Sequence, residues 1–165
     1  MKKIILLLFI TILTNSISAQ NKFGYLDSQE ILLLMPEYKS AEKELQEFVK
    51  SLDGQLVSMN TELQNMFSDY QKNIESYTDL VKADKEAEIQ SLQARVQSFE
   101  QNAQISIQQK QADLLRPLIE KAKEAIQKVA REQGFDYVID ATPGGAVILS
   151  DGKDLMADVK KELGF

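Results

Sequence analysis

The residues able to do chemistry in this chain are few in kind. It contains no histidine and no cysteine, which removes imidazole and thiolate metal ligands, thiol and Ser–His nucleophiles, disulfides and a histidine pH switch. Carboxylates, lysines and tyrosines remain. The best-spaced candidates are Asp136 and Asp140, four residues apart in an apolar segment that reads as a strand, so that both fall on one face. Such a pair could serve as general acid and base, but a turn-flanking, solvated setting explains it better. No Gly-rich phosphate loop of the Walker type occurs, so nucleotide-driven cycling has no motif. No cofactor and no metal are expected. The formal charge of −6 argues against nucleic acid, because phosphate binding draws on clustered Lys and Arg.

The elements that carry these residues are mostly long helices. Seven glycines and three prolines in 165 residues are too few turn formers for a sandwich, a barrel or a doubly wound sheet. From Leu45 the apolar positions run through Phe48, Leu52, Leu56, Met59, Leu63, Met66, Tyr70, Ile74 and Tyr77, at steps of three and four that average about 3.6. A second series opens with Leu80, Ala83 and Ala87 and continues through Leu92, Val96, Phe99, Ala103, Leu114, Leu118, Ala122, Ala125 and Val129, closed by Gly134. The reversal between them falls near 75–79, with Ser76, Thr78 and Asp79 able to cap the returning helix. The spacing therefore predicts an arm over 37–133, an antiparallel helical hairpin roughly 60 Å long at ~1.5 Å per residue. Pro117 lacks the N–H of the helical ladder, and the polar run Gln101–Gln111 has a weak seam. Gln101, Gln108 and Pro117 are hinge candidates, although a solvated, uneventful stretch explains them as well.

The ends read differently. Lys2 and Lys3, the apolar run Ile4–Leu13 and the sequence Ser16-Ile17-Ser18-Ala19 have the pattern of a signal peptide over 1–19, cleaved after Ala19. The apolar run is about half of the ~20 residues needed to cross a bilayer, so an uncleaved anchor is the weaker reading. Export to the periplasm is the expectation, and cleavage would leave 17 basic residues against 25 acidic ones. Residues 20–36 and 134–165 then form a small sheet-containing body. Phe23-Gly24-Tyr25-Leu26-Asp27 suits a strand, as do Phe135, Tyr137, Val138 and Ile139. Thr142-Pro143-Gly144-Gly145 is a turn, and Ala146, Val147, Ile148 and Leu149 are expected to complete a β-hairpin. A terminal amphipathic helix follows over Asp154–Leu163. The body, 48 residues from 21 onward, is close to the ~40-residue size below which a domain seldom stands alone. Its apolar strands would expose open edges. The expected fold is α+β: a small β-sheet body completed by oligomerisation, with one long coiled-coil hairpin per chain.

The segments Phe23-Gly24-Tyr25-Leu26-Asp27-Ser28-Gln29-Glu30-Ile31, Ile126-Gln127-Lys128-Val129-Ala130-Arg131-Glu132-Gln133-Gly134-Phe135-Asp136-Tyr137-Val138-Ile139-Asp140 and Asp154-Leu155-Met156-Ala157-Asp158-Val159-Lys160-Lys161-Glu162-Leu163 resemble the Skp/OmpH family of periplasmic chaperones. The resemblance implies a homotrimer with a β-barrel-like body, to which Phe23, Tyr25, Leu26, Phe135, Tyr137, Val138, Ile139, Val147, Ile148 and Leu149 would contribute. It also implies three helical tentacles around a cavity, and ATP-independent holding of unfolded outer-membrane proteins on their way to assembly. Weak, sequence-tolerant contacts suit such clients, and methionine and aromatic side chains supply them. The candidates are Met59, Met66, Phe67, Tyr70, Ile74 and Tyr77 on the outgoing helix, and Val81, Val96 and Phe99, with Leu92, on the return. Each also fits a seam that packs the two helices together; Phe67, beside Met66 and off the seam, is the exception.

The resemblance fails in one respect. Many members of that family are strongly basic, whereas residues 51–110 here carry five basic side chains against nine acidic ones. An acidic arm repels anionic lipid, so lipopolysaccharide or membrane binding is not expected. A structural coiled-coil envelope protein without chaperone activity is the alternative, since it would share the helical periodicity.

Overall fold

The computed structural model describes residues 21–165; the signal peptide expected over 1–19 lies outside the described residues. The described residues divide into two compact units, one built from 21–28 and Ala125–Gly164 and one from Gln29–Glu124.

The first unit holds a three-stranded parallel sheet. Strands β1 (Phe23–Leu26), β2 (Tyr137–Asp140) and β3 (Lys153–Asp154) lie in the order β2-β1-β3. Phe23 pairs with Tyr137 and Leu26 with Asp140, while Gly24 and Tyr25 pair with Lys153 and Asp154. Helix α4 (Met156–Leu163) follows β3 and ends at Gly164, whose φ of 89° is the left-handed conformation that glycine enters without strain. The core gathers Leu26, Val129, Ala130, Phe135, Leu155 and Val159, all under a tenth exposed. Gly24 is required there: a Cβ would stand 2.8 Å from Leu155 Cδ1 and 3.3 Å from Phe135 Cδ1.

The expected β-hairpin over 135–149 does not form. Thr142–Gly145 does turn, with the Gly145 N–H donating to the Thr142 carbonyl at 2.9 Å, but Ala146–Leu149 is not a strand. The third strand is Lys153–Asp154, and it runs parallel to β1. Two strands parallel to the same neighbour cannot be joined by a tight turn, and their connection must return along the sheet over a dozen or so residues. Residues 141–152 are that return, and the apolar run lies within it. Asp154 is likewise not helical as expected; its carboxylate accepts the Met156 N–H at 2.8 Å at the start of α4.

The second unit is a long helical hairpin. After α1 (Ser28–Leu34), Pro36 occupies the first turn of α2 (Pro36–Asn73), where its missing N–H has no helical role. A turn over 74–78 leads to α3 (Asp79–Glu132), whose first turn is capped by the Thr78 hydroxyl accepting from the Val81 N–H. The helices are antiparallel, because cross-helix partners step apart evenly: Tyr70 with Glu86, Glu44 with Lys110 at 2.5 Å, and Glu37 with Lys121. Their seam buries Ile89, Leu92, Val96, Leu118 and Ala122. The sequence periodicity placed Leu80, Ala83 and Ala87 in this seam, and the structure corrects that: Leu80 is 74% exposed and the seam begins Val81, Lys85, Ile89. A lysine at a seam position hides the true register; Lys85 is half-buried, with Nζ 2.8 Å from Glu88. Among the described residues no helix is long and apolar enough to cross a membrane.

Candidate functional site

In the sequence, Asp136 and Asp140 are the carboxylates best spaced for catalysis. The two groups face separate tasks. Asp136 accepts the backbone N–H of Lys22 at 2.7 Å, tying the start of β1 to the residue before β2. Asp140 accepts from the Ser28 N–H at 3.2 Å, the Ser28 hydroxyl, the Thr142 N–H at 3.1 Å and the Thr142 hydroxyl at 2.6 Å. Partial burial pushes the Asp140 carboxyl up, but the hydroxyl and backbone donors of Ser28 and Thr142 outweigh it and hold the group below its ordinary range. Both aspartates act as chain fasteners at strand ends. No cluster of three or more carboxylates suited to a metal occurs among the described residues.

The body residues split into a buried and an outward set. Leu26 and Phe135 are buried, and the Lys22 ammonium sits 4.1 Å from the Phe135 ring centre. Tyr25, Val138 and Val147 are half-buried. Phe23 and Tyr137 are about half exposed and stack on each other across β1 and β2, their ring centres 5.2 Å apart. Ile139 is exposed, Leu149 is 76% exposed and Ile148 is fully exposed. Large aliphatic side chains standing entirely in solvent on a return segment are unusual in a chain with its own core.

On the arm, Val96 is buried in the seam. Met59, Met66, Tyr70, Tyr77, Val81 and Phe99 are half-buried along it, while Phe67 and Ile74 are exposed. Met59 and Phe99 line one groove of about 530 Å³ between the helices, and Met66 and Leu92 line another of similar size; Arg95 borders both. Near the tip, the Tyr70 hydroxyl donates to Glu86, which raises the phenol above its ordinary pKa, and the Tyr70 and Tyr77 ring centres lie 6.4 Å apart. Gln101 and Gln108 are exposed within an unbroken α3, and Pro117 is inside the same helix. Sequence periodicity missed Val57, Ile105 and Ile119, which are 65%, 64% and 46% exposed. A count of apolar residues one turn apart finds seams, and these three stand off it.

A family model described as outer membrane protein (OmpH-like) matches residues 22–163. The chain belongs to the OmpH-like family. A crystal structure of an OmpH-like protein from Caulobacter crescentus CB15, assigned as an outer membrane chaperone, shares the fold with a TM-score of 0.74. That match covers 88% of this chain and 85% of the other at 14% identity. No curated protein matches the chain. The family match runs over 22–163, so in this OmpH-like chain it includes the strands on either side of the hairpin as well as the helices.

Proposed function

We propose that this OmpH-like protein is a periplasmic holdase that binds unfolded outer-membrane proteins between helical arms, prevents their aggregation without ATP and passes them on for outer-membrane assembly. The observation that carries this reading is the exposure of large apolar residues, Phe67, Ile74, Leu80 and Ile105 among them, off the seam along which the two helices pack. A purely structural rod needs the seam and nothing beyond it. Family membership supports the same reading, and the Asp136 and Asp140 carboxylates are engaged in backbone hydrogen bonds.

The body is proposed to complete itself as a homotrimer. Strands β2 and β3 are the outer strands of the sheet, and Ile148 and Leu149 are exposed beside it in sequence; three copies would bury these edges in one common core. The mature N-terminus is placed after Ala19, and the acidic arms are not expected to bind lipopolysaccharide or phospholipid.

The test is dilution of a urea-unfolded β-barrel protein into buffer holding the mature chain at stoichiometric ratio without ATP. A holdase suppresses light scattering and retains the client in a soluble complex. Scattering equal to that of buffer alone would leave the structural coiled-coil reading in its place.

A further inference from the structure

The face of α3 directly opposite the seam has an unusual composition. Seam residues run Val81, Lys85, Ile89, Leu92, Val96, Phe99, Ala103, Ile107 and Lys110, and positions midway between successive ones point away from α2. Those positions are Ala83, Ala87, Ala94, Gln101, Ile105 and Ala112, with Gln90, Gln97 and Gln108 in the intervals, and all of them are exposed. None is charged, in a chain that is 27% charged. At ~1.5 Å per residue the lane from Ala83 to Ala112 extends about 44 Å. Asp84, Glu86, Glu88 and Glu100 stand at its margins.

Among the described residues the carboxamides of Gln90, Gln97, Gln101 and Gln108 bond to no neighbouring side chain, unlike that of Gln109, which donates to Asp113 at 2.9 Å. Each free carboxamide offers two N–H donors and a carbonyl acceptor, the same groups that an extended backbone carries unpaired. We propose that this uncharged lane holds the backbone of an unfolded polypeptide, with glutamine carboxamides pairing its N–H and C=O groups and Ile105 supplying apolar contact. The lane would thereby be blind to client sequence. The inference rests on the holdase reading and assigns it a surface.

A second helix is a poor occupant. Helix packing needs a large side chain every three to four residues, and the lane has one, Ile105, between Ala83 and Ala112. A strip about 44 Å long and ~10 Å wide also offers roughly half of the ~800 Å² per partner that a stable protein interface buries. Weak, reversible holding of an extended chain fits that size.

The experiment compares two triple variants of the mature protein with the same added charge on the same helix: Gln97→Glu, Gln101→Glu, Gln108→Glu on the lane, and Gln93→Glu, Gln104→Glu, Gln111→Glu beside the seam. Binding of a fluorophore-labelled, urea-unfolded β-barrel polypeptide is read by anisotropy. The lane variant is expected to bind at least tenfold more weakly and the seam-side variant within twofold of wild type. Equal affinities for the two variants would overturn the inference while the holdase reading stood. Wild-type protein that binds no client would overturn both. If the lane variant loses helicity, a photoreactive phenylalanine analogue at Gln101 decides: an adduct with the labelled client supports the lane, and an adduct with a second copy of this chain, or none, overturns it.

Discussion

Single residues in the body show how few side chains hold the ends of the chain together. Asp140 gathers donors from Ser28 and Thr142 and is held in its charged form by them. A carboxyl whose pKa is lowered on folding contributes stability above its ordinary value of 3.8, and that contribution is lost as pH falls below it. Asp140→Asn should therefore lower stability near pH 7 by no more than about 1 kcal/mol, because the side chain is exposed to screening solvent, seen as a small fall in Tm. The gap from wild type should narrow in melts as pH falls below 3.8, where the stabilising contribution of the charged carboxylate is progressively lost. Gly24→Ala acts through space instead. Its methyl would meet Leu155, which is fully buried, so a loss of about 1–3 kcal/mol is expected by chemical denaturation. Leu155→Ala added to Gly24→Ala should recover less than the cavity it opens removes, leaving the double variant below the wild type.

At the scale of elements, the seam register makes a sharp distinction between neighbours. Ile89 is 7% exposed and Leu80 is 74% exposed, so Ile89→Ala should cost about 2–4 kcal/mol while Leu80→Ala stays within about 0.5 kcal/mol of wild type. Equal losses for the two would contradict the register. Pro117→Ala restores a ladder hydrogen bond inside α3 and should raise helical circular dichroism and Tm together. The helices were legible in the sequence because ten apolar residues from Leu45 to Tyr77 keep one period without interruption. The seam register in the first turns of α3 was not, because Lys85 occupies a seam position and Leu80, Ala83 and Ala87 keep an equally good period on the opposite face. Strand β3 could not be read at all: Lys153 and Asp154 have no strand pattern of their own and are extended because β1 lies alongside. Ala146–Leu149 has the pattern and is not a strand. The same contrast holds for candidate contact residues. Phe67 was visible as an apolar side chain next to a seam position, whereas Ile105 sits in a glutamine-rich stretch that reads as solvated.

At the scale of the whole molecule, the exposed Ile148 and Leu149 are the point where association can be tested. Ile148→Asp with Leu149→Asp should leave the arm helical and reduce the mass in solution to that of a single chain, as measured by light scattering; an unchanged mass would separate these residues from any interface. The excess of acidic side chains over 51–110 should make arms of one particle repel each other, so added salt should compact it in small-angle scattering. The parallel pairing of β1 with β2 also sets an order of events. The Lys22 backbone and the Asp136 carboxylate meet across 114 residues of sequence, whereas the hairpin forms by contacts that begin at its turn and propagate locally. Local contacts form early and distant ones late. The first strand to be synthesised thus waits, unpaired and aromatic, until β2 exists, and a chain cut at Asp136 leaves Phe23 and Tyr25 without their strand partners.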